Sequence, residues 1–191
     1  APAQLTLRLA MLLHDIGKPS CRSTDNNGID HFYGHPGLSA KMADRMLRAL
    51  KFENSLRRRV VTLVEYHDVL LSAQDKTIRR WLGRLGPETF FQLLEVKRAD
   101  ILGQAPEKLG SRLDELAEIR ARAEQMTAEG QCLTLKELAV NGRDIIAAGA
   151  RPGPEVGRVL AALLDRVLDE EAPNQRAALL ELARRELQRG R

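Results

Sequence analysis

Five of the side chains in this sequence that could hold a metal ion, His14, Asp15, His35, His67 and Asp100, are not scattered. His14 is followed directly by Asp15, at the end of an apolar helix and before Gly17–Lys18. His35 stands where a helix begins and His67 where one ends. Asp100 interrupts an apolar stripe four positions after Val96, and the whole sequence has only 4 histidines. Neighbouring residues on a helix diverge by about 100°, yet a His–Asp pair at a helix end can reach one ion from two sides. A mixed imidazole and carboxylate set suits a divalent ion such as Mn, Fe, Co, Ni or Zn, with Asp15 as the bridging or water-orienting ligand. Such an ion lowers the pKa of its water and polarises a phosphoryl oxygen, which is what hydrolysis of a phosphate ester requires. A structural account of the same residues stands beside this one. A His–Asp dipeptide is common, His35 and His67 can be core or capping histidines, and Asp100 can be an interior acid paired with Arg98 or Lys97.

The elements that must position these residues are helices. Leu5, Leu9, Leu12 and Leu13 form an apolar face that runs into His14–Asp15. Lys18 to His35 reads as a loop, with Ile29–Tyr33 a brief extended stretch. Pro36 at a first-turn position opens a helix through Leu50. A helix over about 54–67 follows, then one capped by Asp75 and ended by Gly86–Pro87, carrying Ile78, Trp81, Leu82 and Leu85. Pro87 starts another, to about Gln104, with Phe90, Leu93, Leu94 and Ile101 inward. Residues 107–128 read as a long charged helix with Leu109, Leu113, Leu116 and Ile119 on its buried stripe. Gly130 breaks the pattern, and Thr134–Glu137 is a capping box expected to start a helix that ends near Gly149. A tight turn over 149–154, a helix from Pro154 to about Leu168 and a last helix from Asn174 complete the chain.

Composition sets the class. The 191 residues are 43% hydrophobic and 29% charged, with 31 leucines and only 4% aromatics, which favours packed helices over sheets. No apolar run approaches the roughly 20 residues of a membrane span, and no basic n-region with an apolar run opens the sequence as a signal peptide would. Two cysteines, Cys21 and Cys132, in unrelated surroundings point to a reducing, cytoplasmic setting. The net charge of +4 lies entirely in residues 1–107, with 16 basic and 12 acidic residues; residues 108–191 carry 14 of each. Such a surplus suits a polyanionic ligand, and equally an ordinary solvated helix face.

Leu12-Leu13-His14-Asp15-Ile16-Gly17-Lys18 resembles the central motif of the HD superfamily of metal-dependent phosphohydrolases. Phe32-Tyr33-Gly34-His35-Pro36-Gly37-Leu38-Ser39-Ala40, Val64-Glu65-Tyr66-His67-Asp68 and Arg98-Ala99-Asp100-Ile101 are similar to later landmarks of one branch. That branch is the HD domain joined to bacterial CCA-adding tRNA nucleotidyltransferases, the poly(A) polymerase family. Leu138-Ala139-Val140-Asn141-Gly142-Arg143-Asp144 and Pro152-Gly153-Pro154-Glu155-Val156-Gly157 resemble that family's C-terminal segment. The resemblance covers nearly the whole chain. It implies an all-α fold, an HD domain over 1–128 followed by a smaller helical segment over 129–191 that contacts tRNA. It also implies a divalent metal (Mn, Ni, Co, Fe, Zn or Mg) held by His14 and Asp15 as a pair and by Asp100 as the distal ligand. His35 and His67 would line the same site, as ligands of a second metal or as phosphate-facing groups. Asp15 and Lys18 would be the catalytic residues, Lys18 neutralising a phosphate oxygen where otherwise it is an exposed lysine after a helix. The implied chemistry is that of a phosphatase or 2′,3′-cyclic phosphodiesterase on RNA-end or nucleotide phosphates. The rival reading is a catalytically silent tRNA-binding scaffold.

The family has a further metal-ligating histidine upstream of the His–Asp pair, and residues 1–13 contain none. Its nucleotidyltransferase head is also missing: no Gly-Ser-rich strand–turn with an Asp-x-Asp pair is present, so this chain alone is not expected to add CCA. In the tail, Gly149, Gly153 and Gly157 surround a helix start at Pro154, leaving backbone N–H groups for an RNA phosphate. Arg143, Arg151 and Arg158 stand near enough to help. Alternatively the glycines let two helices turn sharply and pack closely.

Overall fold

The computed structural model describes residues 5–104, 110–131 and 134–189; Leu109, Cys132 and the start of the helix expected from 107 lie outside the described residues. In chain order the elements are α1 (Leu5–Leu13), α2 (Lys18–Cys21), β1 (Ser23–Thr24), β2 (Asp30–His31), α3 (His35–Ala49) and α4 (Asn54–Tyr66). Then come α5 (Asp75–Leu85), α6 (Pro87–Leu102), α7 (Gly110–Ala128), a 3-10 turn (Leu135–Glu137), α8 (Gly142–Ala147), α9 (Pro154–Leu168) and α10 (Arg176–Arg189). The fold is all-α, as the leucine-rich, aromatic-poor composition implies. The one sheet among the described residues is a two-stranded antiparallel hairpin, Ser23 opposite His31 and Thr24 opposite Asp30. No described helix is long and apolar enough to cross a membrane.

The chain divides into two compact units, Ala1–Leu71 with Pro87–Arg120, and Ser72–Gly86 with Ala121–Arg191. In the first, α1, α3 and α4 pack on one another, and α6 packs on α1 and α4. The packing follows from helical spacing: Val60, Leu63 and Val64 on α4, and Phe90, Leu93 and Leu94 on α6, sit three and four positions apart and are fully buried. On α3 three of the buried positions are small, Ser39, Ala40 and Ala43, so that other backbone can come close to that part of the helix. The second unit closes around Ile145 of α8, Val159 and Leu163 of α9, and Leu179, Ala183 and Leu187 of α10. Helix α5 packs on α9 and buries Ile78, Leu82 and the guanidinium of Arg79. That guanidinium donates to the Leu168 carbonyl at 3.1 Å and pairs with Glu170 at 2.8 Å, satisfying an otherwise orphaned group at the C-terminal end of α9.

Three local expectations change. The stretch over Lys18–His35 contains a one-turn helix and the hairpin, because Asp25 accepts from the Asn27 and Ile29 N–H groups and folds the turn between the strands. Asp75 is the first residue of α5 and not its cap, which is Gln74; the Asp75 carboxylate accepts from Arg122 at 2.8 Å. The Thr134–Glu137 box forms but starts only the 3-10 turn. The chain is extended at Leu138, and Asn141 then caps a separate helix, α8, through a second box with Asp144.

Asp169, just past α9, accepts from Lys76 at 2.8 Å and Arg80 at 2.9 Å. Lys76 first, then Arg80, holds its carboxyl below the ordinary range. A depressed carboxyl stabilises the fold while charged and loses that contribution as pH falls through its folded-state value. Asp169→Asn is expected to lower the thermal midpoint by about 3 °C at pH 7. The deficit should shrink below about pH 4, as followed by circular-dichroism melts.

Candidate metal centre

The turn that directly follows α1 delivers His14 and Asp15. The C-terminal end of α4 delivers His67, the N-terminal end of α3 delivers His35, and α6 delivers Asp100. All five belong to the first unit. The three imidazoles share one device: each places Nδ1 on the backbone carbonyl three residues upstream. His14 reaches Met11 at 2.7 Å, His35 reaches Phe32 at 2.9 Å and His67 reaches Val64 at 2.7 Å. A carbonyl only accepts, so Nδ1 carries the proton and the neutral ring presents a lone pair at Nε2.

Those Nε2 atoms face the Asp15 carboxylate. Oδ1 lies 3.3 Å from His35 and 3.6 Å from His67; Oδ2 lies 3.2 Å from His14 and 2.6 Å from the Lys18 amine. The His35 and His67 Nε2 atoms are 3.2 Å apart, two lone pairs with no proton between them in the neutral tautomers. Asp15 Oδ1 is buried and accepts no hydrogen bond. Two converging imidazole acceptors and an orphaned carboxylate oxygen are what a cation would satisfy, and their donor atoms all lie within 4.8 Å of one another. Geometry and donor chemistry therefore fit a divalent metal.

His14 and Asp100 stand beside that trio, Nε2 to Oδ1 at 3.6 Å. The Asp100 contact holds the His14 pKa up against the opposing effect of burial, and in return His14 holds Asp100 below the ordinary carboxylate range. His67, with almost no solvent exposure, is pushed down, burial being the main cause. Each sequence-derived ligand is thus in one neighbourhood. Lys18 is on its rim, and its amine lies 5.9 Å from the centre of the Phe32 ring.

The supports explain the placement. A Cβ on Gly17 would stand 2.9 Å from the Ser39 backbone nitrogen and 3.0 Å from the His35 carbonyl oxygen. Its N–H donates to Ser39 Oγ at 3.0 Å. Glycine therefore lets the His14–Lys18 segment lie directly on α3. Lys97, offered by the sequence as a partner for Asp100, instead donates its amine to the carbonyls of His67 and Val69 at 2.9 and 2.6 Å; burial lowers its pKa. Asp100 accepts from Gln104 at 3.1 Å.

The centre opens into a cavity of about 400 Å³ whose walls include Asp15, Lys18, His31, Tyr33, His35, His67 and Asp100. His31, the fourth histidine, and Tyr33 were not singled out from the sequence, although the alternation of the extended stretch would have put one face of it toward the loop. In the second unit, Arg143, Arg151, Gly153 and Arg158 are exposed. Glu155 already accepts the Arg151 N–H at 2.6 Å and meets the Arg158 guanidinium at 3.5 Å.

Residues 24–183 match the family model described as tRNA nucleotidyltransferase domain 2. The A-adding tRNA nucleotidyltransferase of Deinococcus radiodurans is 35% identical over 183 residues, 92% of this chain and 41% of the relative. The CC-adding tRNA nucleotidyltransferase of Thermus thermophilus is 34% identical over 172 residues, 85% of this chain and 36% of that protein. A CCA-adding enzyme of Levilactobacillus brevis is 40% identical over 62 residues, 31% of this chain and 16% of its own length. The chain thus spans about two fifths of the length of the two long matches. No solved structure matches it at comparable stringency.

Two outcomes follow from the geometry. In the metal-free chain, Asp100→Asn should move the His14 titration midpoint downward in a histidine NMR titration, since the carboxylate charge that favours its charged form is lost. Gly17→Ala should lower affinity for Mn or Ni at least about tenfold, as one displaced donor does, while the far-ultraviolet spectrum keeps its helical form.

Proposed function

This chain belongs to the tRNA nucleotidyltransferase family, and from that premise we propose that its first unit is a metal-dependent phosphohydrolase centre of the HD type. On this reading it acts as a phosphatase or 2′,3′-cyclic phosphodiesterase on RNA-end or nucleotide phosphates, within a longer protein that acts on tRNA. The observation that carries the reading is the meeting of two unprotonated Nε2 atoms, from His35 and His67, with the unsatisfied Oδ1 of Asp15.

Asp15, His35 and His67, with His14 and Asp100 completing the donor set, would hold a divalent metal, whose chemistry there would be Lewis-acid polarisation of a phosphoryl oxygen and a lowered pKa for water. The chain's own residues do the rest. Asp15, fixed from both sides by histidines, orients the attacking water through its carboxylate. Lys18, 2.6 Å from Asp15, offsets the negative charge that grows on the phosphoryl oxygens. His14, held between Asp15 and Asp100, fixes the direction from which Asp15 acts. The exposed Arg143, Arg151 and Arg158, with the turn at Gly153, are the groups of the second unit we assign to RNA phosphates.

The test is a calorimetric titration of the metal-stripped chain with Mn and with Ni, beside Asp15→Ala and His35→Ala, followed by assays on phosphomonoesters and 2′,3′-cyclic phosphates. Wild type should bind metal and hydrolyse at least one ester class. Asp15→Ala should lose both properties with helicity intact. Turnover that survives Asp15→Ala sinks the assignment; absence of metal binding would return the unit to the role of a tRNA-binding scaffold.

A further inference from the structure

The cavity that holds the candidate metal centre has a second wall that the proposed hydrolysis does not use. It is built by the hairpin. The Asp25 carboxylate shapes the turn with one oxygen, Oδ1 accepting from the Asn27 N–H at 2.8 Å and the Ile29 N–H at 2.9 Å. With the other it takes His31 Nε2 at 3.1 Å. An oxygen that only accepts puts the proton on Nε2, so His31 Nδ1 is an acceptor, and the Tyr33 hydroxyl donates to it at 3.2 Å. Three side chains are thus wired in series. The two rings end near-parallel, 6° between planes and 5.2 Å between centroids.

The product of this wiring is unusual for a surface aromatic. Tyr33 is 77% exposed, so it serves no core. Yet its ring is held by a hydrogen bond through its hydroxyl and by stacking on an imidazole that is itself held by a carboxylate. It lines the same cavity as the Lys18 amine and the Asp15, His35 and His67 donors. One wall is therefore cationic or cation-binding and suits a phosphate; the other offers a flat, ordered ring and suits a planar apolar group. The cavity volume of about 400 Å³ is that of a small-molecule site. A molecule with an anionic end and a flat aromatic end is a nucleotide.

We propose that Tyr33, backed by His31 and Asp25, is the platform on which the base of a nucleoside phosphate stacks, so that the centre selects phosphates that carry a base over phosphates that do not. The base belongs either to a free nucleotide or to the terminal nucleotide of an RNA; stacking is the same chemistry in both. The phosphate end of this inference rests on the metal-centre reading given above. The aromatic end rests on the hairpin alone.

The experiment is an equilibrium titration of the full chain, with Mn present, against adenosine 3′-monophosphate, ribose 5-phosphate and a short oligoribonucleotide bearing a 3′-phosphate. Wild type should bind the adenosine phosphate about tenfold more tightly than the ribose phosphate, the lower end of what one base–aromatic stack contributes. Tyr33→Ala should abolish that preference while leaving ribose phosphate affinity unchanged. Tyr33→Phe, which keeps the ring and loses the hydroxyl, should retain most of it. Tyr33 dependence confined to the oligoribonucleotide identifies the RNA end as the source of the base; dependence for both admits the free nucleotide. No preference in wild type, or equal losses for both small phosphates in Tyr33→Ala, overturns the proposal. Asp15→Ala separates the two readings: it should weaken every phosphate alike. If it changes nothing while Tyr33→Ala still erases the base preference, the metal reading fails and the platform stands.

Discussion

Each of the three clustered histidines commits its Nδ1 proton to a carbonyl three residues upstream, and the centre takes its form from that commitment. The carbonyls are available for a reason. The last turn of a helix leaves carbonyl groups with no partner of their own; Met11 and Val64 belong to such turns at the ends of α1 and α4. A histidine at or just past the helix end reaches back to one of them, and the bond fixes both the ring's orientation and its tautomer. The other nitrogen then has nothing to donate and must face outward from the helix end. Two helix C-termini, with the bend before α3 whose Phe32 carbonyl holds His35 in the same way, therefore bring three lone pairs together.

That convergence would be unfavourable if nothing answered it. Two acceptors 3.2 Å apart and a buried carboxylate oxygen without a donor carry the cost of unmade polar contacts. The surrounding chain nevertheless holds the arrangement closed. Gly17 permits backbone contact with α3 at Ser39, and Lys97 ties down the two carbonyls at and after His67. These are residues with no reach toward a substrate, and they fix the positions of those that have it. At His14 the Asp100 contact favours the charged form of the ring, and burial opposes it.

Much of this was legible in the residues. The helices over α3, α4, α6 and α9 followed from apolar spacing with proline and glycine at their boundaries, and the site residues followed from scarcity, since histidines at helix ends stand out among only 4. What spacing did not reveal had two physical sources. Short-range side-chain bonds redirected the chain where the pattern looked continuous: Asn141 interrupts one apparent helix by capping another, and Asp25 turns an apparent loop into a hairpin. Contacts distant in sequence were the other source. Nothing in the pattern of Asp75–Leu85 shows that its Arg79 belongs to the end of α9, and Lys97 gave no sign that its amine would serve carbonyls rather than carboxylates.

Arg79 meets Leu168 across 89 residues, and this has a consequence for how the polypeptide is made. The second unit is assembled from two separated stretches, with α6 and the first part of α7 lying between them in the chain. As synthesis proceeds from the N-terminus, α5 emerges well before α9 exists. Until then the Arg79 guanidinium, destined for burial, lacks the Leu168 carbonyl to which it donates. Closing so long an intervening segment costs configurational entropy before any contact repays it, and topologies dominated by such distant pairings fold slowly. The nascent chain thus carries an amphipathic helix that lacks α9 until the later segment is made, the kind of transient apolar surface on which chaperones act.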